Sequence, residues 1–105
     1  ISIGDTIGKA RPEEVRDLLE KTLPICPAEK TAMHFHDTFG QAVENAKAAH
    51  EMGITVFDAS AGGLGGCPYA PGAPGNVSTQ ALIRAFGDET SVDLAAIDRA
   101  AAIIA

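Results

Sequence analysis

The chain has 105 residues, 46% of them apolar and 21% charged, and a formal net charge of −6. That length suits one domain, and no apolar run is long enough to cross a bilayer. The acidic balance offers no basic surface for nucleic acid, so an anionic ligand would need local cations, helix N-termini or a metal.

The chain opens on Ile-Ser-Ile-Gly, without an initiator Met. No charged segment followed by an apolar one marks a signal peptide. The start reads like the middle of a strand, which suggests a piece of something longer. "ISIGDT" is a short strand with β-branched Ile1 and Ile3, ended by Gly4 and Asp5. Gly8 marks a loop. Pro12, Glu13 and Glu14 suit the first turn of a helix, and Val15, Leu18, Leu19, Thr22 and Leu23 form one apolar stripe. Pro24 and Pro27 stop it. "KTAMHFH" is the next strand. The pattern from Gly40 to Met52 is helical, with Ala42, Ala46 and Ala49 on one face and Val43 beside it. Gly53 suits the left-handed residue after a helix. "ITVFDAS" reads as a third strand, continuously apolar and therefore expected to be buried on both faces. A Gly/Pro loop, "AGGLGGCPYAPGAPGN", occupies residues 61 to 76; loops of this length inside a domain are often functional. Ser78 or Thr79 can cap a helix carrying Ala81, Leu82, Ala85 and Phe86. Ser91 can cap a last one with Leu94, Ile97, Ala101 and Ile104 in line.

The order β-α-β-α-β-loop-α-α argues for an α/β fold with right-handed crossovers and a parallel sheet. Three strands cannot close a barrel, which needs eight strands and about 250 residues. The chain is either a small open sheet or the last three units of a (β/α)8 barrel.

Two positions carry chemistry. Side chains alternate across a strand, so His34 and His36 project to one side, about 6.5 to 7 Å apart at Cα, while Met33 and Phe35 face the helices. Buried imidazoles need hydrogen-bond partners or a metal. Two on one face near a strand's C-terminal end can share one cation, and Asp37 can orient such a ligand from behind. His-x-His alone carries little information. The second position is the loop. Its Gly pairs at 62–63 and 65–66 allow sharp turns and close approach to a ligand. Cys67, between Gly66 and Pro68, is placed for thiol chemistry; the alternative is an ordinary half-buried thiol. Asn76 can offer a carbonyl oxygen to a hard cation or serve as a turn or N-cap residue. His50, near the end of its helix, suits the dipole there and is expected at the surface. With only Cys26 and Cys67, no disulfide framework forms, and a reducing, cytoplasmic compartment is expected.

At "GDTIG" (4–8), "HFHDTFGQA" (34–42) and above all "DASAGGLGGCPYAPGAPGN" (58–76), the chain resembles the 3-hydroxy-3-methylglutaryl-CoA (HMG-CoA) lyase family. The resemblance covers nearly the whole chain and corresponds to about the last three strands of that family's barrel, so residues 1–105 would be a single C-terminal fragment of a lyase domain. It implies cleavage of HMG-CoA to acetoacetate and acetyl-CoA, as in leucine degradation and ketone body formation, with Mg²⁺ or Mn²⁺ as the cofactor. By the match, His34, His36 and Asn76 are metal ligands and Cys67 is the catalytic thiol. Asp5 is a polar active-site residue, and Thr6, Gly65 and Gly66 line the substrate. The implied partners are an acyl-CoA substrate, the missing N-terminal barrel portion and a second copy of the chain. The implied compartment is bacterial cytoplasm or the mitochondrial matrix. The chemistry is coherent: cleavage needs the tertiary hydroxyl deprotonated as the C–C bond breaks, and the departing enolate needs a proton on carbon, which a thiol can deliver.

The sequence departs from the family in two places. The family supplies a metal-ligating Asp and a catalytic Arg from an "RDGLQ"-type first strand, and no such segment is present. After Gly-Asn the family usually has Glu where this chain has Gln80, which is expected to weaken a capping or supporting contact. Two other readings remain open: a non-catalytic truncated or assembly module with an exposed sheet edge, and a zinc-dependent hydrolase of the amidohydrolase type. The latter would need more histidines on later strands.

Overall fold

The computed structural model describes residues 1–63, 75–87 and 90–104. Among these residues, three strands alternate with helices: β1 (Ser2–Asp5), α1 (Pro12–Thr22), β2 (Ala32–Phe35), α2 (Ala42–Glu51) and β3 (Val56–Asp58). Two helices follow, α3 (Thr79–Phe86) and α4 (Leu94–Ile104). The strands are parallel, in the order β1-β2-β3. The expected strand–helix alternation is what forms.

The helices begin where side chains can satisfy free backbone N–H groups. Pro12 opens α1, and Glu14 accepts a hydrogen bond from the Arg11 N–H at 3.2 Å. Ser78 caps α3 by accepting from the Ala81 N–H at 3.0 Å. The cap of α4 is Asp93, whose carboxylate accepts from Ala95 and Ala96, and not Ser91. Asp93 directly precedes the first helical residue and reaches both N–H groups; Ser91 lies two residues further back. Gly53 follows α2 at φ +100, as its position suggests.

The core lies between the sheet and the helices. Met33 and Phe35 point from β2 into it, where Val15, Leu19, Ile54, Val77 and Leu82 surround them. Each such side chain, fully buried, contributes about 1.5–3 kcal/mol. The α2 stripe Ala42, Ala46 and Ala49, joined by Ala48, is buried, and its small side chains let α2 approach α1 closely. Asn45 is fully buried beside them and donates from Nδ2 to the Ala10 carbonyl at 2.9 Å, tying α2 to the β1–α1 loop.

Three further expectations change. Leu18 leaves the buried stripe: it is 45% exposed, in an open cleft along β1 with Ile3 and Val15. The third strand is not buried on both faces, since Val56 is 51% exposed and Asp58 is exposed too. The helices cover one side of the sheet, and the face shared by Ala32, His34, Val56 and Asp58 lies open. His50 is half-buried rather than on the surface. Its Nδ1 sits 3.0 Å from the Ile54 carbonyl, and its ring meets Phe86 edge-on at 5.0 Å, because the chain folds back beneath the last turn of α2. Among the described residues no helix is long and apolar enough to cross a membrane.

Candidate metal and active site

Parallel strands bring all their C-terminal ends to one side, and sites on such sheets form there. At that end the chain continues β2 as His36 and Asp37, and a returning segment, Gly75–Val77, pairs with it. Asp37 N–H donates to the Gly75 carbonyl at 2.8 Å, and Val77 N–H donates to the Phe35 carbonyl at 3.1 Å. These bonds flank His36 and Asn76, which face each other as an antiparallel pair. In a pair of this non-hydrogen-bonded kind, side chains leave on the same face from Cα atoms about 4.5 Å apart. His34 shares the face: its ring meets that of His36 edge to face, centroids 5.0 Å apart at 76°. The structure therefore brings His34, His36 and Asn76 together, although Asn76 is forty residues from His36 in the chain.

The supporting loops are built from backbone contacts. Asp5 is paired with Phe35 in the register, so its side chain leaves on the side of Phe35 rather than of His34. Its two carboxylate oxygens accept from Gly8 N–H at 3.1 Å and Ala10 N–H at 3.0 Å. Thr6 is exposed in the turn that these bonds close. Asp37 accepts from the Ala42 N–H at 3.1 Å, which anchors the start of α2; the hydrogen bond found for its carboxylate goes there and not to an imidazole. Gly8, at φ +72, packs against this arrangement. A Cβ on it would lie 3.0 Å from Thr38 Cβ and 3.1 Å from the His36 carbonyl.

Gly8→Ala is expected to cost about 1–2 kcal/mol from the left-handed backbone alone. The contact would also push on His36 and weaken cation binding. Denaturant midpoints and a Mn²⁺ titration check both effects; wild-type values in both would show that the turn has room.

The donors suit a hard or borderline dication: two imidazole nitrogens and an amide oxygen. His36 Nδ1 is buried without a hydrogen-bond partner, a costly state that a bound cation or an incoming donor would relieve. Among the described residues no group of three His, Cys, Asp or Glu could hold a metal; the third donor in this cluster is the Asn76 amide. Gly65, Gly66 and Cys67 lie outside the described residues. Two residues gain a place that the sequence reading did not give them: Asp58 had no role there, and Gln80 was read only as a weakened contact. Asp58 sits in register with His34 on the open face, a placement that alternation from Val56 already implies. Gln80 is buried and hydrogen-bonded on both sides of its amide, which no local pattern announces.

A family profile described as HMGL-like matches residues 1–104. The chain belongs to the HMGL-like family. Hydroxymethylglutaryl-CoA lyase YngG of Bacillus subtilis is 57% identical over 83 residues, covering 79% of this chain and 28% of that protein. The crystal structure of the Bacillus subtilis HMG-CoA lyase superposes with a TM-score of 0.94 at 50% identity, over 98% of this chain and 36% of that one. An HMG-CoA lyase from Acinetobacter baumannii in complex with coenzyme A and 3-methylmalate gives a TM-score of 0.86 at 39% identity, over 99% of this chain and 35% of that one. This HMGL-like chain thus spans about a third of the length of the proteins it matches. Its sheet and helices are a partial (β/α)8 barrel, three βα units with the helices that follow. The open sheet face is the one that points inward in a closed barrel.

Proposed function

We propose that the chain is the C-terminal part of a hydroxymethylglutaryl-CoA lyase, which cleaves HMG-CoA to acetoacetate and acetyl-CoA. The observation that carries this reading is the convergence of His34, His36 and Asn76 at the C-terminal end of the sheet. Family membership and relatives that are themselves HMG-CoA lyases support it. The acyl-CoA substrate is supported by the related enzyme that holds coenzyme A.

In this proposal the two imidazoles and the Asn76 carbonyl hold Mg²⁺ or Mn²⁺, together with ligands from the rest of the barrel. When bound, the cation would acidify and orient the substrate's tertiary hydroxyl. The strands fix both imidazoles on one face, and pairing with Gly75–Val77 keeps Asn76 against them. Asp5 braces the turn that presents Thr6, and Asp37 holds the start of α2 behind His36. Gly65 and Gly66 let the backbone approach the substrate. As the C–C bond breaks, its electron pair passes to the thioester half as an enolate. The Cys67 thiol then gives its proton to that carbon, forming acetyl-CoA.

Cleavage needs the Arg and the Asp that the family places on its first strand, and loss of one stabilising donor typically costs about 10²–10³ in rate. The isolated chain is therefore expected to show no cleavage above background, and activity is expected when it is joined to its N-terminal part. In that joined protein, Cys67→Ala should lower kcat by orders of magnitude while leaving Mn²⁺ affinity within about threefold, because thiol and ligands have separate jobs. Parallel loss of both would contradict the assignment.

A further inference from the structure

We propose that Gln80 and Asp98 form a polar clamp that sets the Gly62–Gly63 turn against Asn76. Gln80 is then a positioning residue for the metal site, which rests on reading Asn76 as a ligand. Gln80 lies in the first turn of α3 yet is only 7% exposed. Its Oε1 accepts from the Gly62 N–H at 3.0 Å, and its Nε2 donates to Asp98 Oδ1 on α4 at 3.2 Å. A primary amide offers an acceptor and donors at once, and both partners use what it offers. A Glu at this position could accept from Gly62 but could not donate to Asp98, and it would set a second carboxylate beside the first. The Gln that departs from the family pattern therefore makes a contact that Glu cannot, instead of weakening one.

The clamped turn lies against the site. Gly62 and Gly63 both have positive φ, +76 and +71. A Cβ on Gly63 would lie 3.3 Å from the backbone carbonyl oxygen of Asn76, and one on Gly62 would lie 3.4 Å from Ala101 Cβ on α4. Ser60 links the same pieces: it donates to the Val77 carbonyl at 3.0 Å and accepts from Gly63 and Thr79, both at 2.9 Å. The segment carrying Asn76 is thus paired with β2 on one side and with Ser60 on the other, the Gly62–Gly63 turn passes close to the Asn76 backbone, and Gln80 ties that turn to α3 and α4.

The test compares Gln80→Ala, Gln80→Glu, Asp98→Asn and the double variant that combines the last two. Two readouts are used: hydrogen exchange at the Gly62 amide, followed by NMR, and Mn²⁺ affinity. Gln80→Ala should speed Gly62 exchange about tenfold, the equivalent of one net hydrogen bond, and weaken Mn²⁺ binding. Gln80→Glu should move both readouts in the same direction. Asp98→Asn should change neither, since the Asn oxygen still accepts. The double variant should return both towards wild type, because the roles swap: the carboxylate introduced on α3 then accepts from Gly62 and from the amide introduced on α4. A role confined to packing would not give that rescue. Wild-type exchange in Gln80→Glu, or a double variant no better than it, would overturn the clamp. If the rescue pattern holds in exchange while Asn76→Ala leaves Mn²⁺ affinity unchanged in the protein joined to its N-terminal part, the ligand reading of Asn76 fails and the clamp stands.

Discussion

Replacing His36 by alanine should weaken Mn²⁺ binding by more than a hundredfold while leaving the metal-free fold as stable as before. The two halves of this expectation have different causes. A group that merely supports a ligand typically contributes about 10–100-fold to affinity, so a ligand itself should exceed that range. The metal-free fold should not suffer, because His36 Nδ1 is buried with no hydrogen-bond partner. Removing an unsatisfied polar group removes a desolvation cost and no bond. Titration calorimetry with Mn²⁺ and urea denaturation in chelator, on the same variant, separate the two. A change in affinity under about threefold would remove His36 from the ligand set. A large loss of metal-free stability would mean that its edge-to-face contact with His34 supports the fold. His34→Ala should behave similarly, since His34 shares the face and meets His36 edge to face.

Phe35→Ala is expected to destabilise the fold by about 3–5 kcal/mol, the range for removing an aromatic side chain from a packed core. Phe35 is buried at 3% exposure, between two histidines that are not. A chain this short has about 5–15 kcal/mol of total stability, so the variant should unfold at much lower urea, and part of it should be unfolded without denaturant. The contrast with its neighbours is the informative part: truncating Phe35 should collapse stability, and truncating either adjacent histidine should not. If all three cost the same, β2 would not separate a core face from a site face, and the candidate site would lose its basis. The Phe35 backbone also matters, since its carbonyl accepts from Val77 and so helps seat the strand that carries Asn76. Loss of this residue is therefore expected to reduce Mn²⁺ binding as well, through misplacement of Asn76.

Where sequence and structure part, the cause is in most cases a partner or an uncovered face distant in the chain; the α4 cap, Asp93 in place of Ser91, is a local exception. Alternation along β2 is local, so the facing of Met33, His34, Phe35 and His36 could be read directly. The α2 alanines, the Ser78 cap and the left-handed Gly53 are local as well. Val56 and Asp58 looked buried because an apolar run does not say how many faces of a sheet are covered; in this chain helices cover one. Leu18 fits its helical stripe but lies over an open cleft at the sheet edge. Asp5 and Asp37 could be recognised as polar residues at strand ends. Only the folded loops show that their carboxylates hold Gly8, Ala10 and Ala42 in place. Gln80 looked like a weakened Glu, because its value depends on Asp98 and Gly62, each eighteen residues away.

By itself the sequence determined the strand and helix order, the pairing of two imidazoles on one face, and the family to which these motifs are similar. All of these follow from spacings of a few residues and from side-chain periodicity. The tertiary structure alone decided that Asn76 returns to face His36, that one side of the sheet stays open, and that a buried amide ties the Gly62–Gly63 turn to two helices. Such contacts depend on which hydrogen-bonding groups packing leaves opposite one another, and no local pattern encodes that.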